Sequence, residues 1–377
     1  MLHSGKRAAV LTVAGLLTAG TLAGCSGSIN TDAVVATVGD EDITLGVANF
    51  YARMTQGQYE TYYAGMMGMT GEDMWAQEVE EGKTYEQAVK ESIMTELENL
   101  YIIAQHAADY EVSLTEDEQG AIREAATQFD ERNSDETKEA VSGYRKDIEK
   151  YLELFTIQNK MESKMKEGVD EEVSDEEAAQ KAMKYVYFSF SSTDDSGNTV
   201  DLTDEEKEAL RDDAQTLADR VKDGEDMTEV AEEMGLTVND LTFDEESTGP
   251  NEDLVAEVDG FTEEGETTGP IESDLGIYVG QLTSLLDRDA TDQEKNNIVE
   301  ERRQEQYDSL LEEWRDGVKI EVDEKAWDKI DFNETGVTII TPEAQDGSDL
   351  SGTDESEDTQ EGSESEDDSS ADGSAEE

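Results

Sequence analysis

Apolar positions along this chain follow three rhythms. From Ala8 to Leu22 they run nearly unbroken behind Lys6 and Arg7, too short for a comfortable membrane span and ending in small residues. That is the pattern of a secretory leader. Further on, Tyr85, Val89, Ile93, Leu97, Leu100 and Ala104 recur at helical spacing behind Thr84-x-x-Gln87, which predicts a capped helix with one buried face. Thr115-x-x-Glu118 opens a second helix with Ile122, Ala125, Ala126 and Phe129, and a third, from about Glu139 to Glu167, carries Ile148, Tyr151, Leu152, Phe155 and Met161. Ser174-x-x-Glu177 predicts a cap in the connection that follows, and Thr203-x-x-Glu206 and Thr291-x-x-Glu294 predict two more helices, the last with Ile298, Tyr307, Leu310, Leu311 and Trp314.

The third rhythm is that of strands. Lys184-Tyr-Val-Tyr-Phe-Ser-Phe190 is rich in aromatic and β-branched residues, as a strand requires. Pro270 lacks the N–H that a ladder needs, so it belongs at the start or edge of a strand. Ile277, Val279 and Gln281 alternate with Tyr278, Gly280 and Leu282, as along one strand. Between leader and first long helix, Met54 to Met74 mixes methionine, tyrosine and Gly65, Gly68 and Gly71. The glycines predict that part of it is not helix. Such a surface can repack around varied apolar partners, which makes a client-binding lip one reading and ordinary core or a loose loop the other.

Composition narrows the function. The chain has 377 residues, room for two or three domains, with 35% hydrophobic residues and a net charge of −69. Nucleic acid is excluded as a partner by that charge; neutral or cationic unfolded chains are not, although solubility alone would also explain it. Fifteen acids and no Lys or Arg fall between Glu343 and Glu377, the composition of a disordered tail. The single cysteine, Cys25, allows no intrachain disulfide. Asp194-Asp-Ser-Gly-Asn198 only faintly suggests a calcium loop, since its glycine comes too early, and no metal or other cofactor is expected.

Several of these segments resemble known families. Leu22-Ala-Gly-Cys25 resembles a bacterial lipobox, which implies a diacylglycerol on the Cys25 thiol and cleavage after residue 24. Ala33-Val-Val-Ala-Thr-Val38 with Gly39-Asp40 and Ile43, with Thr44 as the N-cap of the next helix, is similar to the opening of the PrsA and SurA extracytoplasmic foldases. The helix pair around Tyr110-Glu-Val-Ser-Leu114 resembles their chaperone domain. Gly265 to Leu282, with Gly269-Pro270-Ile271 and Gly276, resembles the closing segment of a parvulin-type prolyl isomerase, and Ala214 to Met234 resembles its central helices.

The resemblance implies an α+β fold. Its parts are a leader (1–24), a tether (25–32), an N-terminal chaperone domain (33–182), an inserted parvulin-like domain with a four-stranded mixed sheet flanked by helices (183–288), a C-terminal helix and strand that return to complete the chaperone domain (289–341), anchored by Trp314 and Trp327, and an acidic tail (342–377).

Isomerisation of an X-Pro bond requires breaking amide resonance. In parvulins a polar network with two histidines serves this. Here their positions fall at about Val186 and at Tyr278, and the chain's only histidines are His3 and His106. No histidine pair can form in the domain. The prolyl pocket is expected from Val186, Phe188, Val255, Phe261, Ser273 and Tyr278, unless these are simply sheet and core; a Tyr278 hydroxyl is the one catalytic candidate.

The expected function is a lipid-anchored foldase on the outer face of a bacterial membrane, binding unfolded secreted polypeptides, with a homodimer left open. Its rivals are an active isomerase and a transporter's solute-binding lipoprotein; the last would show two parallel-sheet lobes.

Overall fold

A computed structural model of the chain describes residues 29–340, except 195, together with strand β1 (Leu16–Thr21). The chain continues through β2 (Val34–Val38) and β3 (Glu41–Thr44) into α1 (Leu45–Gln58), a π-helix (Tyr59–Ala64), α2 (Gly65–Met67) and α3 (Gly71–Trp75). A hairpin of β4 (Glu78–Glu80) and β5 (Lys83–Thr84) leads to α4 (Tyr85–His106), a 3-10 turn (Ala107–Tyr110), α5 (Glu116–Arg132), α6 (Asp135–Val141) and α7 (Arg145–Met165). Next come β6 (Lys181–Ser189), a hairpin of β7 (Ser191–Thr193) and β8 (Thr199–Asp201), α8 (Asp204–Lys222), α9 (Met227–Glu233), β9 (Val238–Phe243), α10 (Glu252–Asp259), β10 (Ile271–Glu272) and β11 (Gly276–Ser284). The described chain closes with α11 (Arg288–Gly317), β12 (Ile320–Val322), α12 (Glu324–Trp327) and β13 (Thr335–Ile340). The class is α+β. Cys25 and the acidic tail lie outside the described residues.

Two compact units divide the chain. One comprises Met1–Glu98, Leu114–Leu154 and Ile320–Glu377, the other Asn99–Ser113 and Phe155–Lys319, so α4 and α7 contribute residues to both. In the first unit β2 is the centre of a three-stranded antiparallel sheet, β12-β2-β3. The last segment thus returns to the first strands of the chain. Phe50 meets Phe129 edge-on at 5.5 Å, and Trp75 lies 4.9 Å from Phe332. Trp327, on α12, is buried as well, with Lys90 Nζ 5.5 Å from its ring centroid.

The second unit holds a four-stranded sheet in the order β10-β11-β6-β9. Every pairing in it is antiparallel, which corrects the expected mixed sheet. A single helical crossover would have delivered a parallel strand; two helices, α8 and α9, separate β6 from β9, and the chain returns opposed. Val186, Phe188, Ile277 and Val279 face Leu217, Ala218, Val221 and Val230 of α8 and α9, while Met183, Phe243 and Leu282 face Leu254, Val255 and Val258 of α10. At Gly280 α10 packs close to the sheet: a Cβ there would stand 2.7 Å from Leu254 Cδ1.

The caps at Thr44, Thr84, Thr115 and Thr203 form as the sequence predicts. Three other expectations need correction. The helix expected over 139–167 is broken at Ser142, whose φ of 52° ends α6, and at Gly143, where a Cβ would lie 2.5 Å from the Phe129 ring. Ser174 Oγ does accept from Glu177 N at 3.1 Å, but it caps a turn and no helix follows. Thr291 is not a cap, because Asp287 accepts from Ala290 N at 2.9 Å and starts α11 earlier. Thr291 is instead buried inside that helix, and its hydroxyl accepts from Gln180 N at 3.2 Å.

Candidate functional site

Successive strand residues point to opposite sides of a sheet, and this decides which of the expected pocket residues can meet. Tyr278 pairs with Tyr187, and Val186 pairs with Val279. Val186 and Phe188 are therefore buried under α8 and α9, whereas Val255, Phe261 and Tyr278 belong to the cluster on the α10 side. The six residues do not line one pocket. The residue opposite Tyr278 is Tyr187, one position from the expected Val186, and their ring centroids are 4.6 Å apart. Tyr185 stands 6.1 Å from Tyr278 on the same side. The parity of the strand thus replaces the anticipated pocket with a half-buried face of three tyrosines, rimmed by Phe261 and Ile271.

Position and chemistry agree about what this face can do. Burial, and then the nearby Tyr187 and Tyr185, push the Tyr278 phenol above its ordinary pKa, so it stays neutral at physiological pH. The Tyr187 hydroxyl donates to Leu275 O at 2.7 Å, and Leu275 itself is 74% exposed. Ser273 is spent on the β10–β11 turn: its hydroxyl donates to Gly276 O at 3.0 Å and accepts from Leu275 N at 3.3 Å. Pro270 directly precedes edge strand β10, as its missing N–H requires. What remains is an uncharged aromatic surface suited to stacking on apolar or prolyl rings.

The other candidates take structural roles. His106 stacks on Trp314 at 4.2 Å, inside a cluster that also holds Ile103, Met161, Met165 and Leu310. The space between the ends of α4 and α7 and helix α11 is thus filled core. Asp194 Oδ1 accepts from the backbone N–H groups of Ser196 and Asn198 at 2.8 Å each, so its carboxylate closes its own turn. Among the described residues no group of three His, Cys, Asp or Glu is placed to hold a metal, and no helix is long and apolar enough to cross a membrane.

In the first unit the methionine-rich stretch divides. Met74 and Trp75 are core, while Tyr62, Tyr63 and Met66 are 54%, 50% and 78% exposed. The helix does not stop at Gly65; it continues through the π-turn to Gly68, whose φ of 68° ends it. Next to these exposed residues lies a feature that the sequence reading missed. Asn49, Arg53, Gln56 and Glu60 form a polar stripe, and the first three are fully buried. Arg53 donates to Asn49 Oδ1 (3.3 Å), Gln56 Oε1 (2.6 Å), Asp331 O (3.0 Å) and Thr335 O (3.2 Å). Gln56 Nε2 donates to Glu60 Oε1, Phe332 O and Thr335 O at 2.6, 3.0 and 2.7 Å. Glu60 Oε1 also accepts from Trp75 Nε1 at 2.8 Å, and its Oε2 from Val337 N at 2.7 Å. Burial lowers the Arg53 pKa to about 10, against the raising influence of Glu60 first and of Asp331 and Glu86, and it remains a cation. The signal for this stripe, polar residues at steps of four, three and four, is present in the sequence.

No family model matches the sequence, and no curated protein does. Among solved structures, the chain is similar to the foldase protein PrsA of Streptococcus pneumoniae, with 18% identity, a TM-score of 0.29, and coverage of 69% of this chain and 99% of that one. It is also similar to the foldase protein PrsA of Lactococcus lactis, with 13% identity, a TM-score of 0.31, and coverage of 79% and 97%. A third is PrsA of Bacillus subtilis, with 14% identity, a TM-score of 0.22, and coverage of 80% and 98%. Likeness at this level transfers no residue's role.

Proposed function

We propose that this chain is an extracytoplasmic foldase of the PrsA type that holds unfolded secreted polypeptides, carrying a parvulin-like module that binds without isomerising. The observation that carries the reading is the pairing of Tyr278 with Tyr187, where a proline-turning network would need imidazoles. The two tyrosine rings offer apolar contact area but no imidazole from which such a network could be built. Cys25 acylation would tether the protein beyond the translocation exit. There, slow-folding chains expose apolar segments, and two acyl chains suffice for stable anchoring. The domain boundaries at 33–182, 183–288 and 289–341 belong to this proposal, as does the tail.

Tyr62, Tyr63 and Met66 supply an apolar contact surface, and the net charge of −69 favours clients that are neutral or basic. The solute-binding rival calls for parallel-sheet lobes, whereas every strand pairing among the described residues is antiparallel. Two assays test the reading together. In a protease-coupled assay on an Ala-Pro peptide the protein should give no rate above background, and it should suppress aggregation of a reduced, unfolded model client. An isomerase rate removed by Tyr278→Phe would establish the enzymatic alternative, and failure to suppress aggregation would remove the foldase.

A further inference from the structure

The last described strand has two edges with different owners. Val337 N donates to Glu60 Oε2 at 2.7 Å and Ile339 N donates to Thr61 Oγ1 at 2.9 Å, so the inward edge of β13 is held by side chains of the π-helix. Because N–H groups alternate along a strand, those of Gly336, Thr338 and Ile340 are left for the outer edge. Strand β1 takes that edge, in an unbroken six-residue antiparallel register from Leu16↔Ile340 to Thr21↔Thr335, and it runs beside α6 as well. Yet β1, Leu-Leu-Thr-Ala-Gly-Thr, lies inside the segment that the sequence marks as a removable leader, upstream of Cys25.

We infer that the outer edge of β13 is a binding site for an extended, uncharged apolar segment of another polypeptide. The leader strand occupies it in the precursor, and clients occupy it in the mature chain. Loss of residues 1–24 leaves the inner edge fixed and the outer donors open, which is the template for strand addition. The occupant is specified by what sits there already: six residues with no charge, two leucines and small residues, in extended form. Thr61 belongs to the same π-helix as the exposed Tyr62 and Tyr63, so apolar contact surface begins one residue from a group that holds the strand. A client would therefore be gripped through its backbone, with little dependence on its sequence. This rests on the foldase reading and on cleavage before Cys25.

The probe is a fluorescein-labelled peptide carrying Leu-Leu-Thr-Ala-Gly-Thr between lysine pairs, followed by fluorescence polarisation. Two further versions are N-methylated at alternate residues, one set in each. The leader-free chain, with Cys25→Ser to keep it soluble, should bind the parent peptide, and the leader-retaining full chain should bind it at least tenfold more weakly. One methylated peptide should bind like the parent and the other should not, since only alternate amides face β13. Thr338→Pro, which deletes an outward donor and leaves Val337 N and Ile339 N in place, should weaken binding at least tenfold while the unfolding midpoint stays within a few degrees. Equal binding of both methylated peptides, equal affinity of the leader-retaining chain, or no binding at all would overturn the inference. So would self-association of the leader-free chain that Thr338→Pro dissolves without any peptide binding, which would assign the edge to a second copy. An N-terminus at Met1 in the secreted protein would also overturn it, because the edge would never be vacated. Suppression of client aggregation is measured beside these: undiminished suppression without peptide binding sinks this inference alone, and no suppression by any form sinks the foldase reading.

Discussion

Two helices use charge to fasten a distant segment, and they do it in opposite surroundings. On α1, Arg53 and Gln56 are buried and hold the carbonyls of Asp331, Phe332 and Thr335. On α11, basic residues at near-heptad spacing hold the 170–177 connection from the surface: Arg288 and Lys295 reach Asp175, Arg302 reaches Glu177 and the carbonyls of Asp170 and Glu172, and Arg303 reaches Glu171. The second row has more ion pairs. The first should matter far more, because a buried donor that loses its partner cannot turn to water, whereas exposed pairs are screened and replaced by hydration.

Removing Arg53 is the severest test. Arg53→Met keeps much of the volume but removes the Arg53 donor from Asp331 O, Asn49 Oδ1 and Gln56 Oε1 and one of the two donors from Thr335 O. A loss of about 3 kcal/mol is expected, read as a lower urea midpoint in tryptophan fluorescence, since Trp75 donates to Glu60 in the same network. A loss no larger than that of an α11 variant would erase the contrast between the two helices.

Asp147 sharpens it from the other side, as a buried charge without such partners. It is 2% exposed, its Oδ2 has no hydrogen-bond partner, and Lys146 Nζ is 4.0 Å from Oδ1. Burial pushes its pKa from 3.8 up to about 6, against the lowering effect of Lys146. A folded pKa above the unfolded one means that the native state binds the extra proton. Stability from this group is full below about pH 4 and falls as pH rises toward 6. A pKa difference of roughly two corresponds to at most about 3 kcal/mol. Asp147→Asn should therefore raise stability by about 1–2 kcal/mol at pH 7.5 and change little at pH 4. Equal effects at both pH values would show that the carboxylate is not strained by burial.

These contrasts mark how far the sequence could be read. Local chemistry was legible: four of the predicted caps form, and the segment from Gly265 to Leu282 is an edge strand, a turn and a core strand in the expected order. Nonlocal chemistry was not. Arg53, Gln56 and Glu60 look like a solvated stripe until a strand from some 280 residues later covers them. Tyr278 was found from its own strand, but its neighbour was placed one residue off at Val186, because the register of β6 against β11 is set by pairing and not by either strand alone. One residue of slip moves a side chain to the other face, and so Val186 and Phe188 became core on the far side of the sheet. The strand pairing of the leader likewise depends on β13, at the far end of the chain.

The α11 row should give the smallest effect, and one with a distinct signature. Asp175 accepts from Lys295 and from Arg288, and these bonds hold its pKa down to about 2, below the ordinary 3.8. The direction is opposite to that of Asp147: stability from Asp175 is present above about pH 4 and is lost as pH falls toward 2. Arg302→Ala removes the bond to Glu177 at 2.6 Å and those to two backbone carbonyls, all near the surface. It should lower the unfolding temperature by only about 1–2 °C at low salt, and the difference should close in 1 M sodium chloride as screening removes the attraction. A salt-insensitive drop would mean that the two carbonyl bonds, not the ion pair, hold the connection. The α11 row would then resemble the Arg53 network, fastening the backbone with a cation whose charge is incidental.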